Sequence, residues 1–315
     1  MSDFVIIPDA SCDLTKELRE RFHIPDYIRG TFYFPDGTEA IADLDWELMD
    51  PIKYYQSMAD RKTLYKTASS RRGDIISTYE KQLQAGKDIL AITLSSALSG
   101  TNQACKKVAE ELMEKYPGRK IAVVDSLRYS TALSLLILMA SQKQQEGATL
   151  DETVEYIETN KHRVHQIGPM DDLFFLVKTG RISNFKAFFG TLIGINPMAD
   201  FNRQGLSQVL GKFKGKKNAF DAVIEYMRGT IENPQEQIIF IAHSNREQAA
   251  QLLAQRVQEE YAPKEIIINH VGLSCGASIG PGLCAVFYQG TEISEGLEKE
   301  QALMNHIIEN QKTRR

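Results

Sequence analysis

The sequence predicts an α/β protein with two domains, and the evidence is its length, the alternation in its first half and a change of pattern in its second. The chain has 315 residues, enough for two domains of ordinary size. In the first half, short apolar strands alternate with amphipathic helices, which is typical of a parallel sheet covered on both faces. In the second half, strands also follow one another directly, which is typical of an α+β domain. We therefore predict domains over residues 1–168 and 169–315, divided where Ile167–Asp171 interrupts a helix.

The elements of the first domain are predicted in order from apolar runs and turn residues. Phe4–Ile7 is a strand, and Asp13 is read as the N-cap of the helix that follows. Thr31–Phe34 and Thr38–Ile41 flank a Pro-Asp-Gly turn, which predicts a hairpin within a small insertion over residues 25–60. The remaining elements are a helix over 74–85, a strand over 88–94, a helix over 101–116, a strand over 120–124, a long helix from about 129 and a helix over 151–164.

The second domain is predicted in the same way. Its elements are a strand over 173–177, a helix near 183–193, hairpin strands over 197–201 and 206–213, a helix over 217–230, a strand over 237–242, a helix over 246–260, and strands over 265–271 and 282–288. Gly280-Pro281-Gly282 is read as a tight turn between the last two strands, formed either for backbone geometry alone or to close a site. The aromatic helix Phe185–Ile193 fits an apolar ligand tunnel or an ordinary core.

Composition excludes several classes of protein. The net charge of −4 is small and mixed, and the lysine-dense segment Lys212–Lys217 is read as a solvated turn, so no nucleic-acid partner is predicted. The longest apolar run, Ala132–Ala140, is far shorter than the roughly 20 residues of a membrane helix. With no basic, apolar leader at the N-terminus, we expect a cytoplasmic protein without membrane insertion. Four scattered cysteines are expected to be free, buried thiols: Cys12, Cys105, Cys275 and Cys284.

Three hydroxyl-rich or acidic loops are predicted at the carboxyl edge of the parallel sheet, where ligands bind in such folds. They are Asp9–Ser11, Ser95–Thr101 and Asp125-Ser126. The middle loop leads into a helix, whose first N–H groups suit a carboxylate or phosphate, although simple helix capping by Ser99 or Thr101 would explain one hydroxyl. The candidate ligand-binding residues in this loop are Ser95, Ser96, Ser99 and Gly100.

Standard catalytic constellations are missing from the sequence. There is no GxSxG or Walker-type motif, no general base is indicated for a serine nucleophile, and no cofactor is predicted. His162 and His165 lie one helical turn apart and could share a metal, but a solvated helix face is the favoured interpretation. His243 is read as a cap of the helix that follows it.

The motifs, in this order, resemble those of the DegV family, whose members include the fatty-acid-binding (FakB) subunits of bacterial fatty acid kinase. The resemblance covers essentially the whole chain. It is carried by Asp9–Leu14, Tyr65-Lys66-Thr67, Leu94–Thr101, Val123–Ser126, Thr179–Ser183, Lys214–Lys217 and Gly280–Leu283.

The resemblance implies a Rossmann-like N-terminal domain, a C-terminal α+β domain and a long-chain fatty acid in a tunnel between them. The fatty acid's carboxylate would be held by Thr67 and by Ser95 or Ser96, and Ser278 stands where the family has a histidine. Serine can donate a hydrogen bond there but cannot carry a positive charge. A carrier of this kind is not itself the catalyst and presents the carboxylate to a separate ATP-dependent fatty acid kinase. Arg181 would face that partner, and Lys214 stands at a basic position that is usually arginine.

Two alternatives to the carrier remain open at the level of sequence. One is a serine-dependent hydrolase or acyltransferase that uses the loop 95–101, which would turn over an ester and lose activity in Ser96→Ala. The other is a carrier of a different amphiphile.

Overall fold

The computed structural model describes residues 4–171, 173–183 and 195–313. They form two compact units. The first unit contains the described residues of Met1–Asp50, Thr63–Lys161 and Gly272–Ala277, and the second those of Pro51–Lys62, His162–Val271 and Ser278–Arg315.

The described strands and helices follow one another along the chain. Up to residue 160 they are β1 (Phe4–Pro8), α1 (Lys16–Arg21), β2 (Gly30–Tyr33), β3 (Glu39–Ala42), α2 (Pro51–Ser57), β4 (Lys66–Ala68), α3 (Arg72–Gln84), β5 (Asp88–Thr93), α4 (Thr101–Lys115), β6 (Ile121–Asp125), α5 (Thr131–Gln145) and α6 (Leu150–Asn160). Beyond residue 160 they are β7 (Val164–Ile167), α7 (Phe174–Thr179), β8 (Ile182–Ser183), β9 (Ile195–Phe201), β10 (Ser207–Lys214), α8 (Lys216–Thr230), β11 (Ile238–His243), α9 (Glu247–Tyr261), β12 (Glu265–His270), α10 (Leu273–Ile279), β13 (Cys284–Gln289) and α11 (Glu298–Thr313).

A parallel sheet in the order β1-β5-β6 forms the centre of the first unit. Side chains alternate between the two faces of a strand, and Ile7, Ile89 and Ala91 join α3 and α4 in one buried core. Helices α5 and α6 pack on the opposite face of this sheet. Every residue of α5 from 131 to 141 is buried. The predicted parallel sheet with helices on both faces is confirmed. The apolar run that is too short for a membrane span is therefore a core helix.

The predicted hairpin is confirmed and gains a third strand. β2 pairs with β3 around the Pro-Asp-Gly turn, where Gly37 adopts a φ of +88°. β4 pairs with the other edge of β2, so that Thr67 lies opposite Phe32. The sequence pattern does not predict β4, because a three-residue exposed strand has too little apolar pattern to be recognised.

The second unit contains the predicted mixed sheet. β11 pairs in parallel with β12 and antiparallel with β13, which pairs antiparallel with β7. A second sheet has the order β8-β10-β9. In it, β9 and β10 form the predicted hairpin. Helix α9 packs on β11 and β12, and α11 packs on α8 and β10.

Two element predictions in the second unit were wrong. The apolar run 173–177 belongs to α7, which ends at Gly180 in the left-handed conformation. Periodicity alone cannot distinguish so short an apolar run in a strand from one in a buried helix. The Gly-Pro-Gly turn follows the helix α10 and not a strand. Apart from the β8 residues, the helix predicted near 183–193 lies outside the described residues.

In the described ranges, no helix combines the length and the apolar character that crossing a membrane requires.

Candidate functional site

The three predicted loops converge at the carboxyl edge of the parallel sheet. Asp9, at the end of β1, accepts hydrogen bonds from the backbone N–H of Ser11 at 2.8 Å and of Leu94 at 2.7 Å. Asp125, at the end of β6, accepts one from the N–H of Ser96 at 3.1 Å. Burial raises the pKa of Asp9, although the two N–H donors oppose this rise. Two carboxylates therefore fix the middle loop from both sides.

Within the middle loop, the candidate hydroxyls have different environments. Ser95 is fully buried, its N–H donates to the carbonyl oxygen of Arg128 at 2.8 Å, and its Oγ accepts from the N–H of Ala97 at 3.3 Å. Ser96 is exposed. Ser99 Oγ lies 3.0 Å from Thr101 Oγ1 and accepts from that residue's N–H at 3.3 Å. The hydroxyl of Ser99 thus serves the start of α4, whereas those of Ser95 and Ser96 make no such contact with the described residues of that helix.

The threonine segment lies beside this loop. A Cβ added at Gly100 would stand 3.5 Å from Ser69 Oγ, two residues after Thr67. A Cβ at Gly30 would stand 3.8 Å from the Ala68 carbonyl oxygen and 3.9 Å from Ala10 Cβ. The structure therefore brings β4, with its exposed Thr67, to the same edge as the loops that follow β1 and β5. No local sequence pattern predicts this approach.

Asp13 belongs to the same edge, and its predicted role as a helix N-cap was wrong. The N-cap of α1 is Thr15. Asp13 is buried and accepts hydrogen bonds from Thr131 Oγ1 at 3.1 Å, from Ser130 Oγ, and from the N–H of Gly272 at 2.9 Å. Burial raises the pKa of Asp13 to about 6, against the effect of these donors. Its side chain therefore joins the start of α5 to the segment that begins α10.

Arg128 is a second residue at this edge that the sequence did not single out. It is the largest fully buried side chain among the described residues, and its Nη1 donates to the carbonyl oxygen of Leu127 at 2.8 Å. Its own carbonyl oxygen accepts from Ser126 Oγ at 2.9 Å as well as from the loop of Ser95. The signal in the sequence was an arginine two residues after Asp125-Ser126 and just ahead of the apolar run Ala132–Ala140.

The remaining predicted site residues belong to the second unit. Ser278 is half-buried in the last turn of α10. Arg181 is exposed, and its Nη1 donates to the carbonyl oxygen of Thr179. It precedes β8, whose Ile182 pairs with the first residue of β10, whereas the exposed Lys214 is the last residue of β10. At about 3.3 Å per residue, Arg181 and Lys214 lie about 26 Å apart along the strand, so they do not form one anion site.

Close packing accounts for both glycines of the Gly-Pro-Gly turn. Gly280 has a φ of +72°, and a Cβ there would overlap the ring of Phe175. Gly282 has a φ of +104°, and a Cβ there would stand 2.7 Å from Asp171 Cβ. Side chains other than glycine fit neither position.

The histidine predictions had mixed outcomes. His165 does not lie on a solvated helix but in β7, fully buried, with Nδ1 2.6 Å from Asp200 Oδ2 and Nε2 2.8 Å from the Thr291 carbonyl oxygen. Both ring nitrogens of His165 are thus engaged by oxygen atoms of the second unit, so neither is available for a metal shared with His162. His243 does contact the start of α9, since its Nδ1 accepts from the N–H of Arg246 at 3.2 Å, but the N-cap of that helix is Arg246 and not His243.

The amino-acid sequence is similar to those of several known proteins. A family described as uncharacterised proteins of the DegV family matches residues 3–291. A DegV domain-containing protein of Clostridium perfringens is 34% identical over 290 residues, which cover 92% of this chain and 98% of the relative. A second DegV domain-containing protein, from Caldanaerobacter subterraneus, is 24% identical over 294 residues, which cover 92% and 99%.

Solved structures share the fold. A DegV lipid-binding protein from Thermotoga maritima superimposes with a TM-score of 0.79 at 24% identity, covering 93% of this chain and 99% of that one. A DegV family protein from Thermus thermophilus, described by its fatty acid binding, gives 0.80 at 23% identity, covering 91% and 99%. The fatty acid kinase B3 protein of Streptococcus pneumoniae, loaded with linoleic acid, gives 0.76 at 21% identity, covering 92% and 99%.

Proposed function

Because the chain belongs to the DegV family, we propose that it binds a long-chain fatty acid whose carboxylate is held by hydroxyls of Thr67, Ser95 and Ser96. The observation that carries this proposal is the convergence of β4 and the serine loop at the carboxyl edge of the parallel sheet. The fatty acids named for the related structures from Thermus thermophilus and Streptococcus pneumoniae support the choice of ligand.

The chemistry of this edge suits a carboxylate. Hydroxyl O–H groups and the N–H groups at the start of α4 donate hydrogen bonds, and a carboxylate only accepts them. Buried Ser95 provides a donor in a position where solvent does not compete for it. Each methylene of a bound acyl chain that leaves water adds about 0.8 kcal/mol, so the acyl chain supplies most of the affinity and the hydroxyls orient the head group.

The finer part of the proposal concerns what happens to the carboxylate. We infer that the protein is a carrier that presents it to a separate fatty acid kinase for acyl phosphate formation. The similarity to the fatty acid kinase B3 protein supports this role. Ser278 is then a further contact of the ligand, and the exposed Arg181 and Lys214 are contacts of the partner.

Native mass spectrometry of the freshly purified protein, followed by lipid extraction, tests the ligand. One fatty acid per chain is the expected result. Protein that carries no lipid and also takes up no added oleate would contradict the proposal and direct the search to other amphiphiles.

A second experiment tests the role as a carrier. With ATP and a bacterial fatty acid kinase, the loaded protein should yield acyl phosphate, which hydroxylamine traps, and Arg181→Ala should lower the yield without changing fatty acid affinity. Hydrolysis of an ester by the protein alone, abolished in Ser96→Ala, would instead indicate the serine-dependent enzyme. Among the hydrogen bonds of the described residues, no histidine contacts the hydroxyls of Ser95, Ser96 or Ser99.

A further inference from the structure

Three potential metal ligands lie together in the second unit, at the carboxyl ends of two parallel strands. His243 is the last residue of β11 and His270 the last residue of β12, and the two are partners in the strand register. Their rings are therefore side by side, with centroids 4.3 Å apart. Glu247, the first residue of α9, completes the group. None of the three is among the residues proposed to bind a fatty acid.

The donor atoms converge on one point. Nε2 of His243 lies 2.8 Å from Oε2 of Glu247, and one ligand atom from each of the three side chains lies within 4.8 Å of the other two. The His243 side chain is only 1% exposed. The carboxylate of Glu247 faces the buried Nε2 as an ion-pair partner, although its direction falls short of good hydrogen-bond geometry. A buried nitrogen held by such a contact can gain from a metal ion that uses its lone pair.

We propose that His243, Glu247 and His270 bind a divalent transition-metal ion of the zinc class. Zinc accepts imidazole nitrogen and carboxylate oxygen at about 2.0–2.2 Å, and its four-coordinate sites place neighbouring ligand atoms about 3.4 Å apart. Reaching that distance from the present spacing requires rotations of the Glu247 and His270 side chains. The Glu247 side chain is 54% exposed, so the ion has a path from solvent and a water molecule takes the fourth position.

One contact opposes coordination and gives the proposal a structural signature. Nδ1 of His243 accepts the N–H of Arg246 at 3.2 Å, which places any proton of the neutral ring on Nε2. Coordination through Nε2 moves that proton to Nδ1, and the contact with Arg246 must then lengthen. Metal binding should therefore shift the NMR signal of the Arg246 amide at the first turn of α9 and convert His243 to the other tautomer.

Titration of the metal-free full-length protein with Co²⁺ tests the proposal, because four-coordinate Co²⁺ absorbs visible light strongly. We expect one equivalent to bind, Zn²⁺ to displace it, and Glu247→Gln and His270→Gln each to weaken binding by about tenfold or more. His306→Gln is the matched control, since His306 is an exposed histidine of α11, and it should bind Co²⁺ like the unmodified protein.

Two results would overturn the proposal. One is the absence of a saturable Co²⁺ spectrum in protein whose circular dichroism shows the native fold. The other is equal loss of binding in His306→Gln and in the two site variants, which would mean adventitious surface binding. In either case the three side chains form only an ion pair at the start of α9, and fatty acid binding is unaffected.

Discussion

Replacement of Asp13 by asparagine should stabilise the protein at neutral pH, because it removes a buried carboxylate and keeps a side chain of the same shape. The pKa of Asp13 rises on folding from an ordinary value of 3.8 to about 6, because burial penalises the carboxylate. The folded state thus binds more protons than the unfolded state between these values, and the contribution of Asp13 to stability falls as the pH rises through this window. Above pH 6 the full cost of the buried charge is present.

The size of the effect follows from the same two values. At 1.36 kcal/mol per pH unit, the rise from 3.8 to about 6 corresponds to about 3 kcal/mol of lost stability. Asparagine suits the position, because residue 13 has a φ of +52°, a conformation that asparagine adopts readily. Its side-chain oxygen can accept from the Gly272 N–H, and its amide can donate to the hydroxyls of Ser130 and Thr131. We expect Asp13→Asn to gain about 1–3 kcal/mol at pH 7.5.

Urea denaturation at pH 4.5, 6 and 7.5 measures this gain. The difference between the variant and the unmodified protein should be about 2 kcal/mol larger at pH 7.5 than at pH 4.5, with most of this rise complete by pH 6. Comparing the two proteins isolates Asp13 from other groups that titrate in the same range. Asp36→Asn is the control, because the exposed Asp36 has a pKa lowered by the N–H of Thr38 and should show no such gain. A difference that is flat with pH, or a loss of stability at pH 7.5, would refute the assignment of a buried, penalised carboxylate.

Two further variants test the candidate site and the second unit. Thr67→Val should weaken fatty acid binding by about 1–3 kcal/mol, measured by displacement of a fluorescent fatty acid, because the carboxylate loses a donor. Ser99→Ala is the control and should leave the affinity unchanged, because the Ser99 hydroxyl serves the start of α4. If Thr67→Val binds fatty acid as tightly as Ser99→Ala does, Thr67 is not part of the site. His165→Ala should lower the free energy of unfolding by about 1–3 kcal/mol, because it removes a hydrogen-bond partner of the buried Asp200 side chain. A loss below about 0.5 kcal/mol in urea denaturation would mean that this contact does not stabilise the fold.

Features that depend on near neighbours in the chain could be predicted from the sequence. The strands of the parallel sheet are short runs of apolar residues, and the hairpin follows from Pro35-Asp36-Gly37, whose conformations are set by each residue's own backbone. The position of Ser95–Thr101 at the carboxyl edge also followed, because every parallel strand of a sheet ends at the same edge.

Features that depend on distant residues needed the tertiary structure. Leu173–Val177 reads equally well as a strand or a buried helix, and only packing decides between them. His165 looks solvated beside Lys161 and Arg163, but its partner Asp200 is 35 residues away on another strand.

The candidate site shows the same division. The sequence by itself determined the sheet, the hairpin and the hydroxyl-rich loop, because local conformational preferences and apolar periodicity specify them. The tertiary structure decided that Thr67 lies beside that loop and that Asp13 is buried, joined to Ser130 and Gly272 across 117 and 259 residues. Burial raises the pKa of this carboxylate by removing it from water, against the effect of its hydrogen-bond donors, and that environment exists only once the chain has folded.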